Sequence, residues 1–291
     1  MLIEIKNEYL TLGVDTLGAE MRSLVSSEGI EYLWNGDAGY WTDRSPVLFP
    51  FVGRLYGKRY TYKGREYPMG LHGFAMYSEF ELVEHTGDRA VFSLCDSAAT
   101  REQYPFAFEF QVSYVLRGKS VEVTYSVDNR GEETMFFGLG GHPGINVPLE
   151  EGAEFEDYCL RFSHPCRPVK VDFSDEVLTT GLDKPYELEG GQTLRLRHEL
   201  FDRDAVVLKN TPGAVTITSD KTKHSVTVSY PDMPYVGFWH IDKKPAPYVC
   251  IEPWTTLPGR QNVVEDIESM SDLIRLAGHG HYENKWSVTI N

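Results

Sequence analysis

The chain lacks the features that mark several large classes of protein. No apolar run approaches the ~18 residues of a membrane-spanning helix. Residues 1–15, MLIEIKNEYLTLGVD, have neither a basic start nor an apolar core, so no secretory leader is expected. Positive charge is in deficit: 28 Lys and Arg against 43 Asp and Glu leave a net charge of −15. That balance argues against a nucleic-acid partner, which would call for a basic surface, and against an anionic membrane surface. Four cysteines occur (Cys95, Cys159, Cys166, Cys250), none in a C-x-x-C pair. No disulfide framework or cysteine-based metal site is expected, and the cytoplasm is the expected compartment. Nucleotide and nucleophile signatures are missing too: there is no G-x-x-x-x-G-K-[ST], no G-x-G-x-x-G and no G-x-S-x-G.

Period-two alternation is what the chain has in quantity. Phe106, Phe108, Phe110, Val112, Tyr114 and Leu116 occupy every second position, and Val121, Val123, Tyr125 and Val127 repeat the pattern after a turn at Arg117–Lys119. Aromatic and β-branched residues at this spacing predict antiparallel strands buried on one face. A further turn at Asn129–Gly131 predicts a meander whose third strand delivers His142. Residues 59–68, RYTYKGREYP, read as a hairpin turning at Lys63-Gly64. Short strands are expected at 193–197, 204–209, 214–219 and 225–230, a buried strand at 248–254 running into a Pro-Trp corner, and a last strand in WSVTI. The segment 262–277 is compatible with a helical turn or a loop. Residues 30–55 are aromatic (Trp34, Tyr40, Trp41, Phe49, Phe51) and rich in proline, and Pro46 and Pro50 rule out a helix there, so a long ordered loop feeding a strand is expected. Turn signals every 8–12 residues or so suit a sandwich or barrel. With no linker, repeat or low-complexity tract, the reading is one all-β domain over 1–291.

Five ionisable side chains stand on awkward, non-helical backbone: Arg54, His72, His142, Asp204 and Glu252. His142 lies in GLGGHPGINVP at 138–148, where glycines allow close backbone approach to a ligand and Pro143 biases the histidine towards extended geometry. A Gly-rich turn with an incidental histidine is the plainer reading. Glu252 closes the apolar run VCIE; burial would raise its pKa towards that of a general base, whereas a core ion pair is the plainer alternative. His72 sits in GLHGFA, a smaller copy of the glycine-flanked arrangement. His279 and His281 have a metal-ligand spacing, but their Gly-rich surroundings read as a surface turn, and no metal is expected.

Taken together, SPVLFPFVGRL, LHGFA, GGHPGINVPL, FDRDAVVL and VCIEPW resemble the aldose 1-epimerase (galactose mutarotase) family, in the family's order from about the fortieth residue to the 260s. The likeness is nearest to its LacX-like branch of mutarotase-related proteins. The resemblance implies a large antiparallel β-sandwich of the galactose mutarotase-like supersandwich type, with an open sugar-binding cleft and no cofactor. It implies His142 as catalytic acid, Glu252 as catalytic base, and Arg54, His72 and Asp204 as sugar-binding groups, with Asp202 the competing choice for Asp204. The pair is expected on either side of one pyranose-sized hollow. A small-molecule sugar is the expected partner, and the expected assembly is a monomer or homodimer. Two motifs depart from true galactose mutarotases. Pro-Gly-Ile-Asn-Val follows the histidine where they have an aromatic Tyr-Phe-Asn-Leu pattern, and Gly73-Phe74 stands where they have Gly-Gly; both departures are expected to line the cleft. Other classes stay open. One is a non-catalytic sugar-binding sandwich. Another is a glycoside hydrolase using Asp204 and Glu252, which would need carboxylates roughly 5–9.5 Å apart. Within the epimerase class itself, a hexose-phosphate variant would hold its phosphate with Arg44, Lys58 and Arg59, near Arg54.

Overall fold

In the computed structural model, which describes residues 1–291, the alternating runs pair as their period demands. Phe108–Arg117 and Ser120–Asn129 form a ten-residue hairpin at the centre of a nine-stranded sheet. Arg89–Cys95 and Glu81–His85 extend it on one side; His281–Ile290, Val226–Ser229, Ala214–Ser219, Tyr158–Phe162 and Thr193–Arg195 extend it on the other. An eight-stranded sheet faces it, built around Tyr248–Trp254, with Tyr235–Trp239 and Val206–Lys209 to one side. On the other side of Tyr248–Trp254 lie Gly140–Gly141, Gly144–Asn146 and Val47–Leu48. Strands in both sheets pair antiparallel, and Ala98–Gln103 is the one α-helix, closed at its start by a Ser97 capping box. The protein is therefore an all-β, large antiparallel sandwich.

The sheets meet through apolar side chains, and the removal of this surface from water is the main force holding them together. One cluster of 69 buried residues runs from Ile3 to Ile290. Across the interface Phe49, which follows Val47–Leu48, stacks on Phe110 at 4.5 Å between centroids, and Tyr125 donates its hydroxyl to the Gly140 carbonyl.

Two expectations need correcting. The strand carrying His142 is not the third of a meander. After Asn129 the chain leaves the large sheet and crosses to the facing one, and the place beside Ser120–Asn129 is taken by the C-terminal strand His281–Ile290. The Asn129 side-chain amide donates to the carbonyls of Glu133, Leu276 and Ala277, which holds the crossing point. Alternation shows which face of a strand is buried but not which neighbour it takes, so this exchange was invisible in the pattern. Residues 262–277 take the loop alternative, broken only by two short strands, Glu265–Asp266 and Ile274–Leu276. Strand 248–254 also runs straight through Pro253-Trp254 instead of turning there. The hairpin at 59–68 matches its reading, with Lys63 and Gly64 both at positive φ as a tight turn between twisted strands requires.

Gly141, directly before His142, faces the core. A Cβ on Gly141 would lie 2.7 Å from Cζ2 of Trp286, a buried ring on the opposite sheet, so glycine sets how closely the two sheets approach at this point. Gly141→Ala is expected to cost about 1–3 kcal/mol through overpacking. Chemical denaturation measures this, and an unchanged midpoint and slope would contradict the close-approach role.

Candidate active site

Sheet register brings the histidine and glutamate together. Gly140 pairs with Trp254 and Gly144 with Cys250, so His142, midway, falls opposite Glu252. The backbone hydrogen bonds Ile251 N–H to Pro143 C=O and Thr255 N–H to Leu139 C=O lie at odd-numbered positions on the His142 strand. His142 and Glu252 thus occupy a non-hydrogen-bonded pair, where facing side chains come closest. Pro143 and Pro253 sit at the alternate positions. On the far side of Glu252 the register partner is Gly237, which presents no side chain.

His142 Nε2 lies 3.1 Å from Glu252 Oε2. The two groups therefore touch at the floor of the cleft and do not flank it, a correction to the expected arrangement. Glu252 is 1% exposed and His142 7%, yet both line the cleft. Burial pushes the Glu252 carboxyl well above the carboxylate range, and the nearby Asp204 charge adds to the rise. Burial also pulls the His142 imidazole down to about 4. Each group alone is thus driven towards its neutral form, as desolvation requires. At this separation they titrate as a pair. Glu252 Oε1 and Trp254 Nε1 are buried without a hydrogen-bond partner, which is uncommon for polar atoms in a folded interior.

A cleft opens above the pair, walled by Trp41, Trp239 and Trp254 and edged by Arg54 and Asp204. Trp41 lies over His142 at 5.0 Å between ring centroids, and Trp239 meets it edge-on at 5.6 Å. His72 stands perpendicular to His142, also at 5.6 Å. Its own backbone is at φ +59°, and Nδ1 accepts a hydrogen bond of 3.0 Å from Gly53 N–H. The proton of the neutral ring is thereby left on Nε2. Burial, with the neighbouring His142 and Arg54, holds the His72 pKa well below its ordinary value. Asp204, at φ +75°, accepts at Oδ1 from its neighbour Ala205 N–H. Its Oδ2 lies 3.9 Å from Arg54 Nη1 in a part-exposed pair at the mouth.

All five expected side chains, Arg54, His72, His142, Asp204 and Glu252, thus line one cleft, and Asp202 is not among its lining residues. Arg44, Lys58 and Arg59 are absent from the lining as well. Arg44 donates to the Arg22 carbonyl and Arg59 pairs with Glu66, which leaves Arg54 as the one Lys or Arg side chain in the cleft. The motif departures do not line it either. Phe74 turns into the core against Phe49, Tyr104 and Phe108, while the missing side chain of Gly144 leaves room for Trp34 and Trp41. Sequence reasoning had seen Trp41 as part of an aromatic loop; it missed Trp239 and the proximity of Cys250. Exposed His279 and His281 pair with Glu132 and Asp128 on the surface. No helix is long and apolar enough to cross a membrane.

A sandwich of this topology, with a histidine and a glutamate in contact beneath an aromatic cleft, belongs to the galactose mutarotase-like class of folds. The aldose 1-epimerase family model matches residues 1–274, and the chain belongs to that family. It is 35% identical over 288 residues to the plasmid-encoded protein LacX of Lactococcus lactis subsp. lactis, covering 95% of this chain and 96% of LacX. Among solved structures, a galactose mutarotase related enzyme from Lactobacillus acidophilus superimposes with a TM-score of 0.95 at 34% identity, over 100% of this chain and 97% of that one. A galactose mutarotase-like protein from Lactobacillus casei gives 0.93 at 29% identity over 100% of both chains.

The His72 environment yields an expected outcome. Nitrogen-15 NMR should show His72 as the Nε2–H tautomer, with its titration displaced well below the value of about 6.5 for a free imidazole. Titration near 6.5, or an Nδ1–H signal, would contradict the Gly53 hydrogen bond.

Proposed function

We propose that this protein interconverts the α and β anomers of a hexose or related sugar, with Glu252 as base and His142 as acid. The contact between these two groups carries the reading. The C1 hydroxyl and the ring oxygen O5 of a pyranose are bonded to the same carbon, so the proton leaves and arrives at neighbouring atoms. An acid and a base in contact match that spacing.

In the forward step ionised Glu252 takes the proton from O1. The C1–O5 bond breaks, its electron pair goes to O5, and O5 takes the proton held by His142. The open aldehyde turns about C1–C2, and the reverse transfers close the ring on either face. The proton count is unchanged over a cycle, so these side chains suffice for the chemistry without a cofactor. Arg54, Asp204 and the Nε2–H of His72 hold hydroxyls and orient the sugar, and Trp41 and Trp239 offer flat faces to its C–H surface. Glu252 Oε1 and Trp254 Nε1, both lacking partners, are the groups a bound sugar would satisfy. Family membership supports the isomerase class.

Glu252→Gln keeps the shape of the side chain but removes its ability to take a proton. It is expected to lower kcat for anomer exchange by about 10²–10⁴-fold, measured by polarimetry or NMR exchange across a panel of hexoses and hexose phosphates. An unchanged rate rejects the role, and saturable binding with no exchange for any sugar points instead to a binding protein.

The active pair holds a single proton. A second is added only when pH falls below the His142 value of about 4, and the first is lost only above the raised Glu252 value. The acid limb of kcat/KM is therefore expected near 4, with activity at about pH 5.5 little different from that at neutrality. A limb at about 6.5, the value of a free imidazole, would overturn the assignment.

A further inference from the structure

Cys250 takes no part in the chemistry above, yet it stands beside it. It is fully buried, and lies two residues before Glu252 on the same strand, so both side chains project from one face of the sheet. Its register partner across the ladder, Gly144, has no side chain to come between Cys250 and His142. Donor atoms of His142, Cys250 and Glu252 all lie within 4.8 Å of one another.

We propose that His142, Cys250 and Glu252 form a site for a thiophilic divalent cation of the Zn²⁺ class, and that a cation held there shuts the cleft to sugar. The cation site stands on geometry alone; the shutting of the cleft rests on the proposed epimerase reading. Tetrahedral zinc takes nitrogen and oxygen donors at about 2.0–2.2 Å, which places two such donors roughly 3.3 Å apart. The His142–Glu252 separation of 3.1 Å is already close to that. Three protein ligands with a fourth position open to the cleft is the arrangement zinc adopts where a small molecule has access.

Charge balance favours the same ion. Binding releases the thiol proton and the proton shared by His142 and Glu252. One thiolate and one carboxylate then offset the two positive charges of the cation, so no net charge is buried. Buried ions persist only when compensated in this way. Softness completes the selection: a thiolate and an imidazole suit zinc, cobalt and copper, whereas magnesium and calcium seek shells of oxygen donors. Glu252 Oε1 is buried and has no hydrogen-bond partner within the protein, so the carboxylate is free to turn to a cation.

Cobalt(II) serves as the spectroscopic probe. Added to the wild-type protein, it is expected to give a thiolate-to-cobalt charge-transfer band at one equivalent, which Zn²⁺ then abolishes. Cys250→Ser should lose the band while keeping anomer-exchange activity close to wild type. Glu252→Gln, which leaves the thiol in place, should weaken cobalt binding, and this covers the case in which the serine variant folds poorly. Loss of even an outer-shell partner typically costs 10–100-fold in metal affinity. Zinc inhibition of anomer exchange should therefore weaken by at least about tenfold in Cys250→Ser. No band in the wild type, or a band of equal strength in Cys250→Ser, overturns the site. Equal zinc inhibition of the two proteins overturns the shutting of the cleft. A band that depends on Cys250, in a protein that exchanges no sugar, would remove the epimerase reading and leave the cation site standing.

Discussion

An imidazole and a carboxylate pressed together out of water are the constraint around which the site is arranged. Between them they hold one proton, which can sit so as to give an ion pair or two neutral groups. Burial penalises the ion pair through lost hydration, while attraction at contact distance in a low-dielectric setting favours it. The two effects oppose each other, and in the proposed reaction ring opening of a sugar converts one form into the other: the charged pair becomes the neutral pair as O1 gives up its proton and O5 gains one. Closure reverses it. A catalyst of this kind needs its two proton arrangements close in free energy, since a large preference for either would slow half of the cycle. Deep burial at direct contact brings them close, whereas a solvated pair on either side of a hollow would favour the charged form. The contact at the cleft floor is thus chemically more apt than the flanking arrangement expected from the sequence.

Holding that contact depends on backbone. Both residues sit on neighbouring strands at a position without hydrogen bonds between them, while Pro143 and Pro253 occupy the alternate positions, where a donor would otherwise be called for. Proline cannot donate to a ladder and is uncommon inside a central strand, so Pro143 and Pro253 each forgo a ladder bond beside the place where the two side chains meet. Behind the pair, Gly141 lets the Trp286 ring of the opposite sheet come into contact with the strand. The His142 backbone is thereby supported from the core side as its ring faces the cleft. Rigid support of this kind is what holds an acid and a base in reactive geometry.

The all-β class and most strands were legible because one-faced burial writes period two into the sequence, and residues 106–127 carry it plainly. The crossing after Asn129 was not legible, because partner choice depends on side-chain amide bonds to carbonyls some 150 positions later. The five side chains of the cleft could be named from the motifs that carry the family resemblance, each of which contains one of them. Their spatial relation could not. The left-handed backbone of His72 and Asp204 is not readable at non-glycine positions. The glycines around His142 were visible as places of close approach, but not what approaches each: the core ring of Trp286 at Gly141, the cleft rings of Trp254 at Gly140 and Trp41 at Gly144. Cys250 gave no signal at all, because its significance comes from strand register alone.

The departures from true galactose mutarotases acquire a physical meaning through Trp41. Glycine at position 144 leaves open the space where Trp34 and Trp41 pack; a Cβ there would sit 3.1 Å from both residues. The loop carrying Trp41 is tied to the same strand, since Gly144 N–H donates to the Arg44 carbonyl and the Trp34 indole donates to the Trp41 carbonyl. An aromatic side chain following the histidine would compete for this space. A residue one hundred positions earlier supplies the ring instead, laying it over His142 from a loop. The change within the histidine motif and the aromatic loop upstream are therefore one feature, not two. A wall built from a loop can be reshaped without disturbing the strands that hold the acid and base. The contacting histidine–glutamate pair and the aromatic wall of the cleft above it are in this way carried by separate parts of the fold.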